Sequence, residues 1–338
     1  MVKATPKIAL VLGGGNALGS YQAGVYQALH EREREPDWVV GVSAGAINGA
    51  LIAGNSRDDR IPRLTEFWQP GMAGSALPWW PFGDALRRSA AAMLTMGAGR
   101  PGVFGPVGPL GSWWNPDSAA AAPSLFDSKP LADTLARLVD FDRLNRAEPR
   151  FTAGSVDLET GEEVFFDTSQ AALTPDHVRA SASLLPTFPP VEVEGRAFVD
   201  GGLSANLPLD PVLGEVSKAP MLCIAVDLLP LDNRRPQTLG EGIARAQNLI
   251  FAAQTRRTIE RWRMAYAHDP AYRVASATLV KLTYSDQEAE VAGKAMDFSP
   301  ESVRQRWDAG YRDAIAALDR IASGEFEVGR PGLTVFEG

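Results

Sequence analysis

The sequence predicts an α/β protein with a mainly parallel central sheet, and three stretches lead to that prediction. Lys7–Leu12 is a continuous apolar run, the pattern of a strand buried on both faces. A Gly-rich loop and a helix to about Arg34 follow, and a second strand, Trp38–Val42, leads directly into another helix. This strand–helix–strand order predicts parallel neighbours whose following loops open at the same edge of the sheet. Met221–Leu229 is a further strand of the buried type.

The junction between the second strand and its helix carries the pattern G-x-S-x-G, from Gly41 to Gly45. In a nucleophile elbow, the serine (here Ser43) lies on a sharp strand-to-helix turn, and the flanking glycines let backbone segments pass closely. The Ser43 hydroxyl would then lie over a helix N-terminus, whose free N–H groups favour developing negative charge. On these five letters alone, an ordinary Gly-flanked turn remains an alternative.

The loop after the first strand contains three consecutive glycines, Gly13, Gly14 and Gly15. A dinucleotide fingerprint needs G-x-G-x-x-G, and neither register fits, because Leu18 or Asn16 stands where a glycine is required. Successive backbone N–H groups beside Ser43 would instead suit an oxyanion hole. A flexible glycine turn is the alternative.

Composition excludes some classes of protein. The 338 residues carry 33 basic and 41 acidic side chains, and this net charge of −8 gives no reason to expect a nucleic-acid partner. Cys223 lies in an apolar run and is predicted to be a core residue. There is no apolar segment of signal-peptide form or of transmembrane length. We therefore expect a cytoplasmic protein that could contact a membrane peripherally.

The segment from Gly54 to Phe126 has a different composition from the rest of the chain. It is rich in Pro and Gly, and only Asp84–Met96 within it is predicted to be helical. A long irregular apolar stretch is typical of a lid or binding loop, or else of a structural flap. We predict a lid-like insertion at 54–126, with peripheral membrane contact through 68–114. Five of the chain's eight tryptophans lie in it: Trp68, Trp79, Trp80, Trp113 and Trp114.

Two hairpins are predicted in the second half of the chain, at Arg150–Asp167 and at Val191–Val199. The second hairpin places Asp200-Gly201-Gly202 at the end of a strand. Helices at about Leu239–Ala267 and Pro300–Ala322 occupy most of the C-terminal third. We therefore predict a catalytic domain over 1–230, which includes the insertion, and a helical extension over 231–338 packed on it.

A serine nucleophile needs a base. The chain has only three histidines: His30, His177 and His268. One alternative is the order Ser–Asp–His, formed by Ser43, Asp200 and His268. The other is Asp200 itself as the base, because a carboxylate within hydrogen-bond reach of the hydroxyl can take its proton. Gly201 and Gly202 would then let backbone and substrate approach closely, although Asp-Gly-Gly is also an ordinary turn sequence.

Together these stretches resemble the patatin-like phospholipase family. The resemblance covers about residues 7–55 and 125–230. It implies a three-layer patatin-like fold, Ser43 as nucleophile, Asp200 as its dyad partner and the Gly13, Gly14 and Gly15 amides as oxyanion hole. The residues that carry it are Leu12–Gly19, Gly41–Gly45, Ala180-Ser181 with Pro186, Phe188–Pro190, Asp200–Gly202 and Asn206–Pro208.

The reaction expected from this resemblance is hydrolysis of a lipid carboxylic ester through an acyl-enzyme, with no metal or cofactor. Two other functions stay open: an acyltransferase that uses the same acyl-enzyme, and a catalytically silent lipid-binding protein. One departure concerns Leu18, since family members commonly carry Arg or Lys at that position. A cation is therefore missing from the loop sequence, which bears on the head group that the protein would accept.

Overall fold

A mixed sheet organises the chain. The computed structural model describes residues 5–69, 83–107, 124–217 and 219–338, and within these ranges nine strands join one central sheet and two short strands pair separately. The strands are β1 Lys7–Leu12, β2 Trp38–Gly41, β3 Gly105–Pro106, β4 Phe126–Asp127, β5 Arg150–Asp157, β6 Glu163–Asp167, β7 Val191–Val193, β8 Arg196–Asp200, β9 Met221–Asp227, β10 Ser276–Thr283 and β11 Gly332–Glu337.

The central sheet has the order β11-β10-β9-β1-β2-β5-β8-β7, and β6 also pairs with β5. All neighbours from β11 to β5 are parallel. The β6, β7 and β8 strands pair in antiparallel fashion. The predicted mainly parallel sheet is therefore confirmed. Leu12 lies opposite Gly41, so the loops after β1 and β2 open side by side at the carboxyl edge.

The helices alternate with the strands along most of the chain. None of those in the described ranges is long and apolar enough to cross a membrane. They are α1 Ser20–Glu31, α2 Ala44–Ala53, α3 Arg57–Trp68, α4 Asp84–Ala98, α5 Lys129–Leu138, α6 Phe141–Leu144, α7 Pro175–Ser181, α8 Gly202–Ala205, α9 Asp210–Leu213, α10 Leu239–His268 and α11 Pro300–Ala322.

Alternate residues of the central strands face two separate hydrophobic cores, as the two-residue period of a strand requires. On one face, Leu10 and Leu12 of β1 belong to a core that includes residues of α1, α2 and α11. On the other face, Val11 of β1 and Cys223 of β9 belong to a core that includes Ile259 of α10. The sheet thus lies between two helical layers. Cys223 is fully buried, as the sequence predicts.

The insertion contains a helix that the sequence analysis did not predict. Residues Arg57–Trp68 form α3, with Ser56 before it and Asp58 and Asp59 in its first turn. Trp68, which was assigned to the lid-like segment, is instead buried in the core, and its Nε1 donates to Asn48 Oδ1 at 2.8 Å. The predicted helix at Asp84–Met96 is confirmed as α4. Trp79, Trp80, Trp113 and Trp114 lie outside the described residues.

The C-terminal segment contributes to the sheet as well as to the helical layers. The predicted helices correspond to α10 and α11. Two strands that the sequence analysis did not predict, β10 and β11, extend the parallel part of the sheet from β9. Residues 231–338 therefore share the central sheet with the rest of the chain.

Candidate active site

Ser43 occupies a strained turn between β2 and α2. Its φ of 57° and ψ of −126° place an ordinary L-residue in a sparsely populated region of backbone conformation. The close approach of neighbouring backbone explains both flanking glycines. A Cβ on Gly41 would lie 2.3 Å from Gly45 O, and a Cβ on Gly45 would lie 2.1 Å from Leu12 O. This is the geometry that the G-x-S-x-G pattern predicts for a nucleophile elbow.

Asp200 ends β8 and is almost completely buried, with 2% of its surface exposed. Its Oδ1 accepts the Gly202 N–H at 2.7 Å. Oδ2 is buried and has no hydrogen-bond partner among the described residues. Burial raises the pKa of the carboxyl to about 7, although the nearby Ser43 hydroxyl and the Gly202 N–H act to lower it. No hydrogen bond of ordinary geometry joins Ser43 and Asp200 here, as is common for catalytic pairs without substrate.

The end of α7 and the residues after it hold both members of this pair. The Ser43 N–H donates to Ser181 O at 3.0 Å, and the Asp200 N–H donates to Ser183 O at 3.0 Å. The Ser181 hydroxyl in turn donates to Gly154 O of β5 at 2.5 Å. A Cβ on Gly201 would lie 2.5 Å from the same Gly154 O, so β5 and the aspartate loop are in close contact. One short segment therefore sets the backbone positions of Ser43 and Asp200 together.

The three glycines of the first loop do not all present free amides. The Gly13 N–H donates to Val226 O at 3.1 Å, and the Gly14 N–H donates to Asn206 O at 3.0 Å. Two of the three amides predicted to form the oxyanion hole are thus already bonded to backbone. Among the hydrogen bonds of the described residues, none uses the N–H of Gly15 or that of Ala44, and both residues line the cavity beside Ser43.

Asn206 links the glycine loop to the aspartate loop. Its Nδ2 donates to Gly14 O at 3.2 Å, and its own backbone carbonyl accepts the Gly14 N–H. A Cβ on Gly14 would lie 2.5 Å from Asn206 Oδ1, and one on Gly202 would lie 2.9 Å from that atom. The family resemblance includes Asn206, but the sequence alone gave it no role. Its function as a connector depends on contacts nearly 200 positions apart in the chain.

Gln254 of α10 supports the same connection from the C-terminal segment. Its Oε1 accepts the Asn206 N–H at 3.0 Å, and its Nε2 donates to the carbonyls of Gly202 at 3.3 Å and Leu203 at 3.4 Å. The sequence analysis did not identify this residue, and nothing in the local pattern of an Arg-rich helix distinguishes it.

The histidines lie elsewhere. His30 pairs with Glu35 at 2.8 Å, and His177 forms a capping box with Thr174 at the start of α7. His268 is exposed at the end of α10. All three are described residues, and none lines the cavity that contains Ser43 and Asp200. This arrangement gives no support to the order Ser–Asp–His.

The cavity at Ser43 has a volume of about 170 Å³ and is lined mainly by apolar side chains. Both dyad candidates reach it, together with Gly14 and Gly15 of the loop. In the described ranges, no group of three or more His, Cys, Asp or Glu side chains could hold a metal ion. The apolar part of the wall includes Leu18, Ile47, Phe67, Trp68, Val103, Phe104, Leu131, Leu184, Phe188, Leu229, Phe251, Met296 and Phe298.

A cation does lie behind the glycine loop, although Leu18 supplies none. Leu18 is fully buried in the core. Arg306 of α11 is also fully buried, and its Nη1 donates to Ala17 O at 3.3 Å. The loop is therefore held by a hydrogen bond from a distant arginine as well as by packing.

Two family models match the chain. The model described as "Patatin-like phospholipase" matches residues 10–213, and one described as "Patatin phospholipase" matches residues 233–325. An uncharacterised NTE family protein of Mycobacterium tuberculosis is 26% identical over 212 residues, which are 62% of this chain and 46% of that protein. The lysophospholipase nte1 of Aspergillus oryzae is 27% identical over 240 residues, 70% of this chain and 13% of that protein. The chain thus spans less than half the length of these curated relatives.

Solved structures show a more distant likeness. VipD from Legionella pneumophila is 16% identical with a TM-score of 0.46, and the match covers 94% of this chain and 67% of that one. The type III effector protein ExoU is 15% identical with a TM-score of 0.42, covering 94% of this chain and 53% of that one. The family model over 10–213 includes the elbow, the glycine loop and the Asp200 loop, and by that match the chain belongs to the patatin-like phospholipase family.

Proposed function

We propose that this protein is a serine lipid acyl hydrolase, of phospholipase A, lysophospholipase or esterase type, that uses a Ser43–Asp200 dyad. One observation carries the proposal. A serine in a strained elbow and a buried carboxyl whose Oδ2 has no hydrogen-bond partner in the described structure line the same mainly apolar cavity. A lipid acyl chain matches the wall, and an ester carbonyl can reach the two polar groups at its end. Family membership supports the same reaction class.

In the proposed reaction, the Asp200 carboxylate takes the proton of the Ser43 hydroxyl as Oγ attacks the ester carbonyl carbon. The tetrahedral intermediate collapses, the bond to the alcohol oxygen breaks, and Asp200 returns the proton to that oxygen. The acyl group is then an ester of Ser43. Asp200 next deprotonates a water molecule that attacks this ester, and the fatty acid leaves as Ser43 regains its proton.

We propose the N–H groups of Gly15 and Ala44 as the oxyanion donors. Both residues line the cavity, and the described structure shows no other hydrogen bond for either amide. Ala44 follows the nucleophile at the first turn of α2, where helix N–H groups lack intrahelical partners. Gly13 and Gly14 act differently in this scheme: their bonds to Val226 and Asn206 fix the loop so that the Gly15 amide is presented.

We also propose that the protein works at a lipid surface and contacts it peripherally through the 68–114 region. Within that region, α4 exposes four large apolar side chains, those of Leu86, Met93, Leu94 and Met96. Such a set on one short helix is typical of a surface that meets lipid or another partner. The cytoplasmic location expected from the sequence stays a prediction.

Variants of the dyad test the proposed reaction. Ser43→Ala and Asp200→Asn should each lower ester hydrolysis by about 10⁴-fold or more, and the double variant should be little worse, because the two residues act as one unit. His268→Ala is the matched control and should keep most activity. Mass spectrometry should find a fluorophosphonate label on Ser43 in the wild-type protein.

Each other outcome points to a different function. Acyl groups that appear on added glycerol, in place of free fatty acid, would identify an acyltransferase. An unlabelled Ser43 and no turnover of any ester would leave a lipid-binding protein. Loss of activity in a well-folded His268→Ala variant would replace the dyad with a triad.

A further inference from the structure

Arg100 is a buried cation in the wall of the Ser43 cavity. It follows α4 and forms an isolated bridge with Phe104. Only 7% of its surface is exposed, and its side chain lines the cavity. The guanidinium carbon lies 4.6 Å from the ring centroid of Phe67, 4.5 Å from that of Phe298 and 5.3 Å from that of Trp68. Aromatic rings thus hold the charge in place without neutralising it.

The other buried arginines of the described structure all have carboxylate partners. Arg60 pairs with Glu35 at 2.5 Å, Arg88 with Asp84 at 2.6 Å, and Arg306 with Glu290 at 2.7 Å. For Arg100, no carboxylate in the described ranges lies within ion-pair distance. Its only side-chain hydrogen bond there is to Phe67 O. A guanidinium has five N–H donors, and among the described residues only one of those of Arg100 has a hydrogen-bond partner.

Burial alone changes the acidity of this group. The pKa of Arg100 falls to about 9, and the cause is loss of hydration with no charged neighbour involved. The side chain therefore remains a cation at neutral pH. A buried charge without a partner is costly, and the usual compensation is an oppositely charged group that binds it.

Lys294 is the second cation in the cavity wall, and it differs from Arg100. Its Nζ donates to Asn248 Oδ1 at 3.3 Å and to Gln287 Oε1, and Glu290 stabilises its charge. These protein partners already occupy Lys294. Within the described ranges, Arg100 has more donors without a partner than Lys294 has, and a planar fork of N–H groups matches an oxyacid anion better than an ammonium does.

We propose that Arg100 binds the ionised phosphate of the lipid substrate while the ester carbonyl lies at Ser43. The inference rests on the proposed hydrolase function and names its substrate class, a phosphate-bearing acyl lipid such as a lysophospholipid. The glycine loop has Leu18 where related proteins commonly have a cation. Arg100, which lies in the insertion, would supply a cation to the site in its place. The apolar wall between the two polar positions would hold the acyl chain and the glycerol backbone.

Two esters with the same acyl chain test this: lauroyl lysophosphatidate, which carries the phosphate, and monolauroylglycerol, which does not. Arg100→Gln should lower kcat/KM for the phosphate ester by roughly 10- to 100-fold, the range for losing a charge-assisted hydrogen bond, and change it less than about threefold for the neutral ester. Arg100→Lys keeps the charge and should lie in between. Arg320→Gln removes an arginine packed over Phe326 outside the cavity and should leave both values unchanged.

Binding to the Ser43→Ala variant separates this proposal from the hydrolase proposal. Calorimetry should show dodecyl phosphate binding, dodecanol binding more weakly, and loss of the difference when Arg100→Gln is added. If dodecyl phosphate binding depended on Arg100 but the wild-type protein hydrolysed no ester, the hydrolase proposal would be wrong and the phosphate site would still stand.

Three results would overturn the phosphate assignment. Equal losses on both esters with a lowered melting temperature would show that Arg100 only supports the fold. Binding of laurate but not of dodecyl phosphate would show a carboxylate site. Hydrolysis by the wild-type protein with no preference for the phosphate ester would show that Arg100 contacts no part of the substrate.

Discussion

At the scale of single residues, burial gives Asp200 the acidity that its proposed role needs. A carboxyl with an ordinary pKa is a weak base, whereas one with a pKa near 7 accepts a proton readily and still ionises near neutral pH. The same burial leaves Oδ2 without a partner in the described structure. Burial of Asp200 therefore favours its proposed role as a base but lowers the stability of the folded protein when the carboxyl is ionised.

The pH dependence of hydrolysis follows from that pKa. Because only the carboxylate form can take the Ser43 proton, kcat/KM should rise with pH, reach half its maximum near pH 7, and be about a hundredfold lower at pH 5. Stopped-time assays with a short-chain ester across pH 5–9 would measure it. The same profile in His268→Ala would exclude that histidine as its source, and a flat profile in the wild-type protein would contradict the assignment of Asp200.

The stability of the protein should change in the opposite sense. The pKa of Asp200 is higher in the folded state than in the unfolded chain, so its contribution to stability is complete only below the unfolded-state value near 3.8 and is lost as pH rises from there through about 7. At pH 8, Asp200→Asn should therefore melt at a higher temperature than the wild-type protein, and this difference should be smaller at pH 5 and small at pH 4. This gain would accompany the loss of activity.

At the scale of elements, the site depends on α10 as well as on the strands that precede the two residues of the proposed dyad. The hydrogen bonds of Gln254, one accepted and two donated, join this helix to the aspartate loop and to Asn206. Small displacements of catalytic groups lower kcat strongly, whereas substrate binding by the apolar wall depends less on them. Gln254 is thus proposed as a positioning residue.

Gln254→Ala should lower kcat by roughly tenfold and change KM by less, because the loop that carries Asp200 loses its support while the acyl wall stays intact. Glu260→Ala, an exposed change on the same helix, is the control. Steady-state kinetics on a monomeric ester would separate the two constants. A rise in KM at constant kcat would instead assign Gln254 to substrate binding.

The exposed apolar residues of α4 give a second prediction at this scale. Met93 and Leu94 are 73% and 67% exposed, which is a solubility cost unless a lipid surface covers them. Changing both to Gln should reduce activity on vesicles by several-fold more than activity on a short-chain monomeric ester. Leu158→Gln, at another exposed leucine, is the matched control. Equal losses on the two substrates would exclude a role of α4 in surface contact.

The elements that could be predicted are those with strong local patterns. Buried strands, hairpins and the elbow each carry a period or a turn signal within about ten residues. The α3 helix was missed because Pro62 and five charged residues obscure its first two turns, although Leu64, Phe67 and Trp68 have helical spacing. Which amides of the glycine loop are already bonded could not be predicted, because the N–H groups of Gly13 and Gly14 pair with Val226 and Asn206, far along the chain.

At the scale of the whole molecule, a buried charge cluster joins segments that are distant in sequence. Glu290 accepts hydrogen bonds from Arg306 of α11, from Arg88 of α4 at 3.2 Å and from the Tyr284 hydroxyl at 2.8 Å. Asp297 lies 3.8 Å from both arginines. The cluster lies next to Lys294 in the cavity wall and, through Arg306, next to the glycine loop. The insertion and the C-terminal segment are thus connected at the site.

Removing the central carboxylate should destabilise the whole protein. Glu290→Gln leaves two buried guanidinium groups poorly compensated, and breaking such a pair costs about 3–5 kcal/mol. Denaturant unfolding monitored by circular dichroism would measure it. Glu301→Gln removes an exposed ion pair with Arg304 and should cost less than about 1 kcal/mol.

The pH dependence of unfolding checks the same residue independently. Burial acts to raise the pKa of Glu290, but hydrogen bonds and charge from Arg306 and Arg88 outweigh it and hold the pKa below its usual value. A lowered carboxyl pKa adds stability above the unfolded-state value near 4.5, and this contribution is lost as pH falls through the folded-state value. The wild-type protein should therefore lose stability in acid more steeply than Glu290→Gln does. If the free energy of unfolding fell equally with pH in the two proteins below pH 5, ionised Glu290 would not stabilise the connection between α4 and α11.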